Sequence, residues 1–106
     1  MEVDSIIKRL AIVLPAEMMS KIGISYDDNG KVLVIMDLHG LTKQEAKRMT
    51  KNVILVLRGS FTLALIHGYN RGTVLKEYVH NELENARIQK RYCNRWNPGE
   101  TYLEIA

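Results

Sequence analysis

The fold follows from one stretch of sequence, residues 31–46, which reads KVLVIMDLHGLTKQEA. The first part, residues 31–38, is mostly apolar on both faces of an extended chain, a pattern typical of a central buried strand. His39-Gly40 then ends the strand, and Thr42 with Glu45 forms a Thr-x-x-Glu capping box that starts a helix. The stretch predicts a strand, a glycine turn and a helix in direct succession.

The same succession occurs again further along the chain. Phe61–Ile66 is a short apolar strand that also ends in His-Gly, at His67-Gly68, and apolar periodicity predicts a second helix over residues 73–86. Strand–helix–strand units have right-handed crossovers and parallel strands. The strands that end before His39 and His67 should therefore be parallel.

A hairpin is predicted on each side of this core. Asp27-Asp28-Asn29-Gly30 is a turn signal between strands at residues 22–26 and 31–38, because Asn-Gly accepts the positive φ angles of a tight turn. Near the other end, Asn97-Pro98-Gly99 separates predicted strands at residues 88–96 and 100–105.

These elements predict an α/β fold, an α+β sandwich with a mixed sheet of four or five strands. Two main helices complete a β-α-β-α-β-β core, and apolar spacing adds an N-terminal helix at residues 4–14. We expect residues 1–30 to form an N-terminal helix-and-hairpin extension and residues 31–106 the main domain, within one globular unit.

The charge of the 106-residue chain is unevenly placed around its net value of +3. Residues 40–106 hold eleven basic and six acidic side chains, which favours an anionic partner for that part. The single cysteine, Cys93, excludes an internal disulfide and a Cys-rich zinc site. No apolar run approaches the ~20 residues that cross a bilayer. We expect a cytoplasmic protein with no membrane or disulfide partner.

The two His-Gly turns form the candidate site. Asp37 and His39 are two residues apart on one strand and point to the same face, and His67 could join them from the neighbouring strand. Imidazole titrates near neutral pH, so His39 suits a proton acceptor, while Asp37 could orient it or bind a divalent cation. The structural alternative is that Asp37 caps the following helix turn and His39 bonds a backbone carbonyl.

The sequence resembles the small MutS-related (Smr) domain family at these positions. Residues 37–41 (DLHGL) with the helix opening after them are similar to the family's first motif, and Ile66-His67-Gly68 followed by Gly72 resembles its His-Gly-x-Gly-x-Gly loop. The final strand, from Gly99 to Ile105, resembles the family's closing strand. The resemblance implies a sandwich like the C-terminal domain of bacterial translation initiation factor 3.

The resemblance also implies a nucleic-acid-binding domain that nicks DNA or cleaves RNA as an endonuclease, a hydrolase of the phosphodiester backbone. By resemblance, Asp37 and His39 match the positions linked to cleavage, and His67 matches the loop that holds the nucleic-acid backbone. We expect Asp37, His39 and His67 to be the catalytic residues, with Asp37 and His39 as ligands of any Mg²⁺ or Mn²⁺. Asn70 replaces the family's middle loop glycine, which leaves a non-catalytic binding module as an alternative. A protein-interaction domain is the third hypothesis.

Residues expected to contact nucleic acid lie in the two turns, the second helix and the last hairpin. They are Gly40, Gly68, Asn70, Arg71, Gly72, Thr73, Lys76, Arg87, Lys90, Arg91, Arg95 and Trp96. In the hairpin, cations alternate with Tyr92 and Trp96, so phosphate contact with base stacking is one interpretation. The other is that the aromatic rings pack the hairpin and the cations stay in water. His80 is expected on the solvated face of the second helix.

Overall fold

The computed structural model of the chain describes residues 2–68 and 73–106. It is a mixed five-stranded sheet in the order β1-β2-β3-β5-β4, which confirms the predicted fold class. The strands are β1 (Ile22–Tyr26), β2 (Val32–Asp37), β3 (Phe61–Ile66), β4 (Ile88–Asn94) and β5 (Asn97–Ile105). The helices are α1 (Val3–Val13), α2 (Ala16–Met19), α3 (Lys43–Val56) and α4 (Val74–Glu77), which continues as a π-helix at Tyr78–Glu82. Among the described residues, no helix is both long and apolar enough to traverse a bilayer.

The predicted hairpin of β1 and β2 is confirmed. In its turn, the Asp27 carboxylate accepts hydrogen bonds from the N–H groups of Asn29 and Lys31 at 2.8 and 2.9 Å. Gly30 has a φ of +79°, whereas Asn29 has no positive φ. The turn thus differs from the expected Asn-Gly type, because a single left-handed glycine closes it.

The pairing of β2 with β3 is parallel, as predicted, and places Asp37 opposite Ile66. Helix α3 makes the crossover between them. Its capping box is confirmed, because the Thr42 hydroxyl accepts from the Glu45 N–H and the Glu45 carboxylate accepts from the Thr42 N–H. The Thr42 N–H donated to that carboxylate lowers the pKa of Glu45.

The helices cover one face of the sheet. Every second residue of each strand points to this face. These side chains form a single apolar core with buried side chains of the helices, among them Ile6 and Leu10 of α1 and Met49 and Val53 of α3. On the opposite face no helix of the described residues is packed, and Tyr92 lies there partly exposed beside Tyr102. The sheet therefore has one buried and one open face.

The second helix ends earlier than the predicted residue 86, because its last N–H bond is of the wide π type. The Leu83 N–H donates to the Tyr78 carbonyl at 2.7 Å, and the backbone of Leu83 is extended. Arg91 of β4 donates to the carbonyls of Val79, His80 and Leu83, which a helix terminus leaves without partners. A contact distant in sequence thus stabilises this end.

The turn of the last hairpin also differs from the prediction. Arg95-Trp96 forms the turn, while residues 97–99 belong to β5. The Asn94 side-chain oxygen accepts from the Trp96 N–H at 2.9 Å, a local bond that favours a turn at this position over the Pro-Gly pair.

Arg87 lies at the end of the sheet opposite the two His-Gly turns, about 17 Å away along β3 at ~3.4 Å per residue. Its guanidinium donates to the carbonyls of Ile54, Leu57 and Gly59, where α3 ends, and to that of Ala106. It also lies 5.8 Å from the centre of the Phe61 ring. Arg87 therefore joins the end of α3 to β4 and β5.

We expect Arg87→Ala to lower the free energy of unfolding by about 2 kcal/mol, because hydrogen bonds from a charged donor to several carbonyls are lost together. Arg95→Ala is the matched control: Arg95 is exposed, and its replacement should change stability by less than about 0.5 kcal/mol. Urea denaturation of both variants measures the difference. Equal midpoints would show that Arg87 adds nothing to stability.

Candidate functional site

Asp37 and His39 lie together at the edge of the sheet where β2 ends. The Asp37 carboxylate accepts from the His39 N–H at 2.9 Å, so it holds the turn before α3, whereas the helix itself is capped by Thr42 and not by Asp37. Gly40 has a φ of +83°, a conformation that disfavours any side chain. The His39 residue is exposed, and its backbone is fixed from within the turn.

Lys21 is part of this site and was missed by the sequence reasoning. Its ammonium donates to the His39 carbonyl at 3.2 Å, and its own carbonyl accepts from the Asp37 N–H at 2.8 Å. The signal was present in the register of the first hairpin: a turn centred on Asn29 pairs Ile22 with Met36 and so places Lys21 beside Asp37.

The second His-Gly turn lies directly against the first. Gly68 has a φ of +76°, and a Cβ atom placed on it would lie 3.9 Å from Cδ2 of His39. The N–H groups of His67 and Gly68 both donate to the Gly99 carbonyl, at 2.8 and 3.0 Å. The His39 imidazole, the Gly68 turn and the start of β5 therefore form one contiguous edge.

His67 does not join Asp37 and His39, contrary to the expectation of three converging side chains. Asp37 pairs with Ile66, so the next residue, His67, points to the opposite face, the one covered by helices. Its side chain is buried, with 5% exposure. The structure thus brings together one carboxylate and one imidazole, and places the second imidazole behind them.

The buried imidazole belongs to a chain of hydrogen bonds. His67 Nδ1 lies 2.8 Å from the Gly68 carbonyl, its Nε2 lies 2.9 Å from the Thr101 hydroxyl, and that hydroxyl lies 3.0 Å from His80 Nε2. A carbonyl only accepts, so a neutral His67 carries its proton on Nδ1 and accepts the Thr101 hydroxyl hydrogen at Nε2. The Thr101 oxygen then accepts from the Nε2–H of His80.

His80 is half-buried and bonded to Thr101, so the prediction that it only faces solvent is wrong. Burial lowers the pKa of His67, and it lowers the pKa of His80 together with the nearby charges of His67, Lys76 and Arg91. Lys76 lowers the pKa of His67 as well, whereas Glu100 raises it. The neutral forms that the hydrogen-bond chain needs are thus favoured.

Two of the remaining predicted contact residues, Thr73 and Lys76, lie at the second helix. Thr73 precedes α4, with its hydroxyl bonded to the Glu77 carboxylate, and Lys76 is a half-buried residue of that helix. Asn70, Arg71 and Gly72 lie outside the described residues.

The cations of the last hairpin do not share one surface. Arg87 and Arg91 are bonded to helix-end carbonyls, and Lys90 lies over the Tyr92 ring on the open face at 5.3 Å. Arg95 and Trp96 alone occupy the tip of the hairpin, at the same edge of the sheet as His39.

Comparison with known families adds one finding to this geometry. The model of the Smr domain matches residues 36–100, which span both His-Gly turns, α3 and most of the last hairpin. The chain belongs to the Smr domain family. Smr domains generally bind nucleic acid and some are endonucleases. Neither the curated proteins nor the solved structures gave a significant match to the chain.

Metal ligands are few in this Smr domain. Within residues 2–68 and 73–106, no group of three or more His, Cys, Asp or Glu side chains is placed to hold a metal ion. Asp37 and His39 would offer a divalent cation at most two protein ligands, one of them already bonded to backbone. Mg²⁺ commonly accepts so few, because waters and substrate phosphates fill its other positions.

The pair of bonded histidines, His67 and His80, should make the stability of the Smr domain depend on pH. The folded state lowers both imidazole pKa values below the ~6.5 of an unfolded chain, so the unfolded state binds more protons in acid. The contribution of the two histidines to the free energy of unfolding should be fully present above about pH 6.5, and it should be lost as the pH drops below that value. Urea midpoints between about pH 8 and about pH 5 measure this.

His80→Gln should make the acid-side decline shallower, because one of the two imidazoles is gone. His39→Gln retains both His67 and His80 and should decline as steeply as the unmodified chain, which makes it the matched control. A midpoint that stays constant over the range, or an unchanged slope in His80→Gln, would contradict the role given to the pair.

Proposed function

We propose that this Smr domain binds the backbone of a nucleic acid at the edge where β2 and β3 end, and cleaves it as a DNA-nicking or RNA-cleaving endonuclease. The observation that carries the proposal is the exposed His39 imidazole, held against the Gly68 turn while Asp37 and Lys21 fix its backbone. Membership of the family supports the binding role.

Phosphate binding would draw on the cations at this edge. Lys21 and Lys76 belong to it, Arg95 lies at the hairpin tip, and Arg71 stands within the family's glycine motif in sequence. N–H groups at the start of the helix after Thr73 have no partners within that helix and favour an anion. Binding by such groups releases counterions and so weakens as salt rises.

Cleavage would use His39 as the proton acceptor for the attacking water. Its exposure leaves the ring accessible to substrate, and a positioned imidazole typically contributes a 10²–10⁴-fold rate increase. Asp37 is a positioning residue in this proposal, because its carboxylate bonds the His39 backbone. His67 would act through the Gly68 turn, since its ring faces Thr101.

A divalent cation, Mg²⁺ or Mn²⁺, would be held by Asp37 and His39 together with substrate phosphates. When bound, it would acidify the attacking water and offset phosphate charge. The residues of the chain would still position the backbone and accept the proton.

A binding-only module is the second candidate, favoured by Asn70 at a loop position where the family has glycine.

We also propose that residues 31–106 make up the Smr domain, with residues 1–30 as an extension whose α1 packs on α3. Cytoplasmic location stays a prediction from the lone cysteine.

We expect His39→Ala to lower the rate of cleavage of plasmid DNA or of RNA by about 10²–10⁴-fold with little loss of binding, because it removes the proton acceptor but no phosphate contact. Assays with and without Mg²⁺ or Mn²⁺, beside binding measured over a salt series, separate the two effects. Lys51→Ala, on the exposed side of α3, is the control and should change neither.

The outcomes distinguish the hypotheses. Cleavage that persists unchanged in an Asp37→Ala/His39→Ala double variant would rule out the catalytic assignment and point to a contaminating nuclease. Salt-dependent binding with no cleavage by the unmodified chain would establish the binding-only module. Absence of any salt-dependent binding would instead favour a protein-interaction domain.

A further inference from the structure

The last hairpin extends past the edge of the sheet that carries the candidate site. Strand β5 pairs with β3 only from Glu100 onward, so residues 97–99 project beyond the end of β3. The Arg95-Trp96 turn stands at the tip of this projection. Trp96 is 88% exposed, more than any other large apolar residue among those described.

The turn that presents Trp96 is held by side-chain bonds. Asn94 accepts from the Trp96 N–H at 2.9 Å and donates to the Tyr102 hydroxyl at 3.2 Å. The Asn97 side chain accepts from the Gly99 N–H at 3.0 Å. The indole is thus carried on an ordered backbone, although the ring itself has almost no packing within the fold.

The projection is bonded directly to the Gly68 turn. The Gly99 carbonyl accepts from the N–H groups of His67 and Gly68, and Trp96 is three residues from Gly99. At ~3.4 Å per residue, its backbone lies within about 10 Å of that turn. A nucleotide adjoining a phosphate at Gly68 is within reach of an indole at that distance.

The other aromatic residue of the hairpin gives a contrast. Tyr92 packs on the Tyr102 ring at 5.3 Å, and its hydroxyl donates to the Glu104 carboxylate at 2.8 Å. Burial and that carboxylate raise the pKa of Tyr92 to about 12. Tyr92 is thus used within the sheet, whereas Trp96 offers an open ring face.

We propose that Trp96 stacks on an unpaired base next to the phosphate bound at the Gly68 turn, so that the substrate class is single-stranded nucleic acid, or an unpaired loop or end. This inference rests on the proposed function of the same edge. Bases in a continuous duplex have both faces covered by their neighbours, whereas unpaired bases can be splayed onto an aromatic side chain.

The experiment uses the fact that Trp96 is the single tryptophan of the chain. The full chain is titrated with fluorescein-labelled oligo-dT and oligo-U of about 12 nucleotides and with a duplex of equal length. Label anisotropy measures binding, and the same titrations with unlabelled strands are followed by indole fluorescence. We expect quenching by the single strands and none by the duplex.

Trp96→Ala should weaken single-strand binding by about 5- to 150-fold, while Trp96→Phe should retain most of it because a stacking face remains. The dependence of binding on salt should not change, since no charge is removed. Leu55→Ala is the matched control: Leu55 is an apolar side chain of α3 that is 73% exposed, and its removal should leave binding unaltered.

Two kinds of failure are distinguishable. Single strands that bind without quenching, or that bind Trp96→Ala as tightly as the unmodified chain, would overturn the stacking inference and leave phosphate binding intact. Absence of binding to every oligonucleotide would overturn the proposed function itself, and the stacking inference with it.

Discussion

The parallel pairing of β2 with β3 is the constraint on which the rest of the site depends. The bonding continues past the strands, because the Leu38 N–H donates to the Ile66 carbonyl at 2.8 Å. This register brings the two glycine turns side by side, and alternation then sends neighbouring side chains to opposite faces. Asp37 is presented outward and His67 inward by the same ladder. The outward-facing Asp37 side chain and the buried hydrogen bonds of His67 therefore both result from the register of β2 and β3.

The inward histidine shows how a polar group is stabilised within this core. A buried imidazole is costly unless both ring nitrogens have partners. Gly68 and Thr101 supply these partners, and Thr101 extends the chain to His80. Because the carbonyl of Gly68 belongs to the turn itself, the bonds that satisfy His67 also fix the backbone on which the exposed site is built.

Local rules predicted much of the fold, and distant contacts account for what they missed. The strands, the parallel pair and the Thr42–Glu45 capping box follow from periodicity and short-range bonding. The sequence predicts Arg91 on a nucleic-acid surface, because a basic cluster has the same sequence pattern whether its side chains face water or helix-end carbonyls. Only the folded structure shows that Arg91 contacts helix-end carbonyls. His67 was within reach of prediction: it continues the alternation of Leu63 and Leu65, both of them core residues.

The position of β5 has a consequence for the order of folding during synthesis. This strand lies inside the sheet, between β3 and β4, yet it leaves the ribosome after both. Until it arrives, β3 has an unpaired edge, and the N–H groups of His67 and Gly68 lack the Gly99 carbonyl that accepts them. A nascent chain therefore cannot complete the bonding of the Gly68 turn until the last strand inserts, whereas the partners of the His39-Gly40 turn precede that strand in the chain.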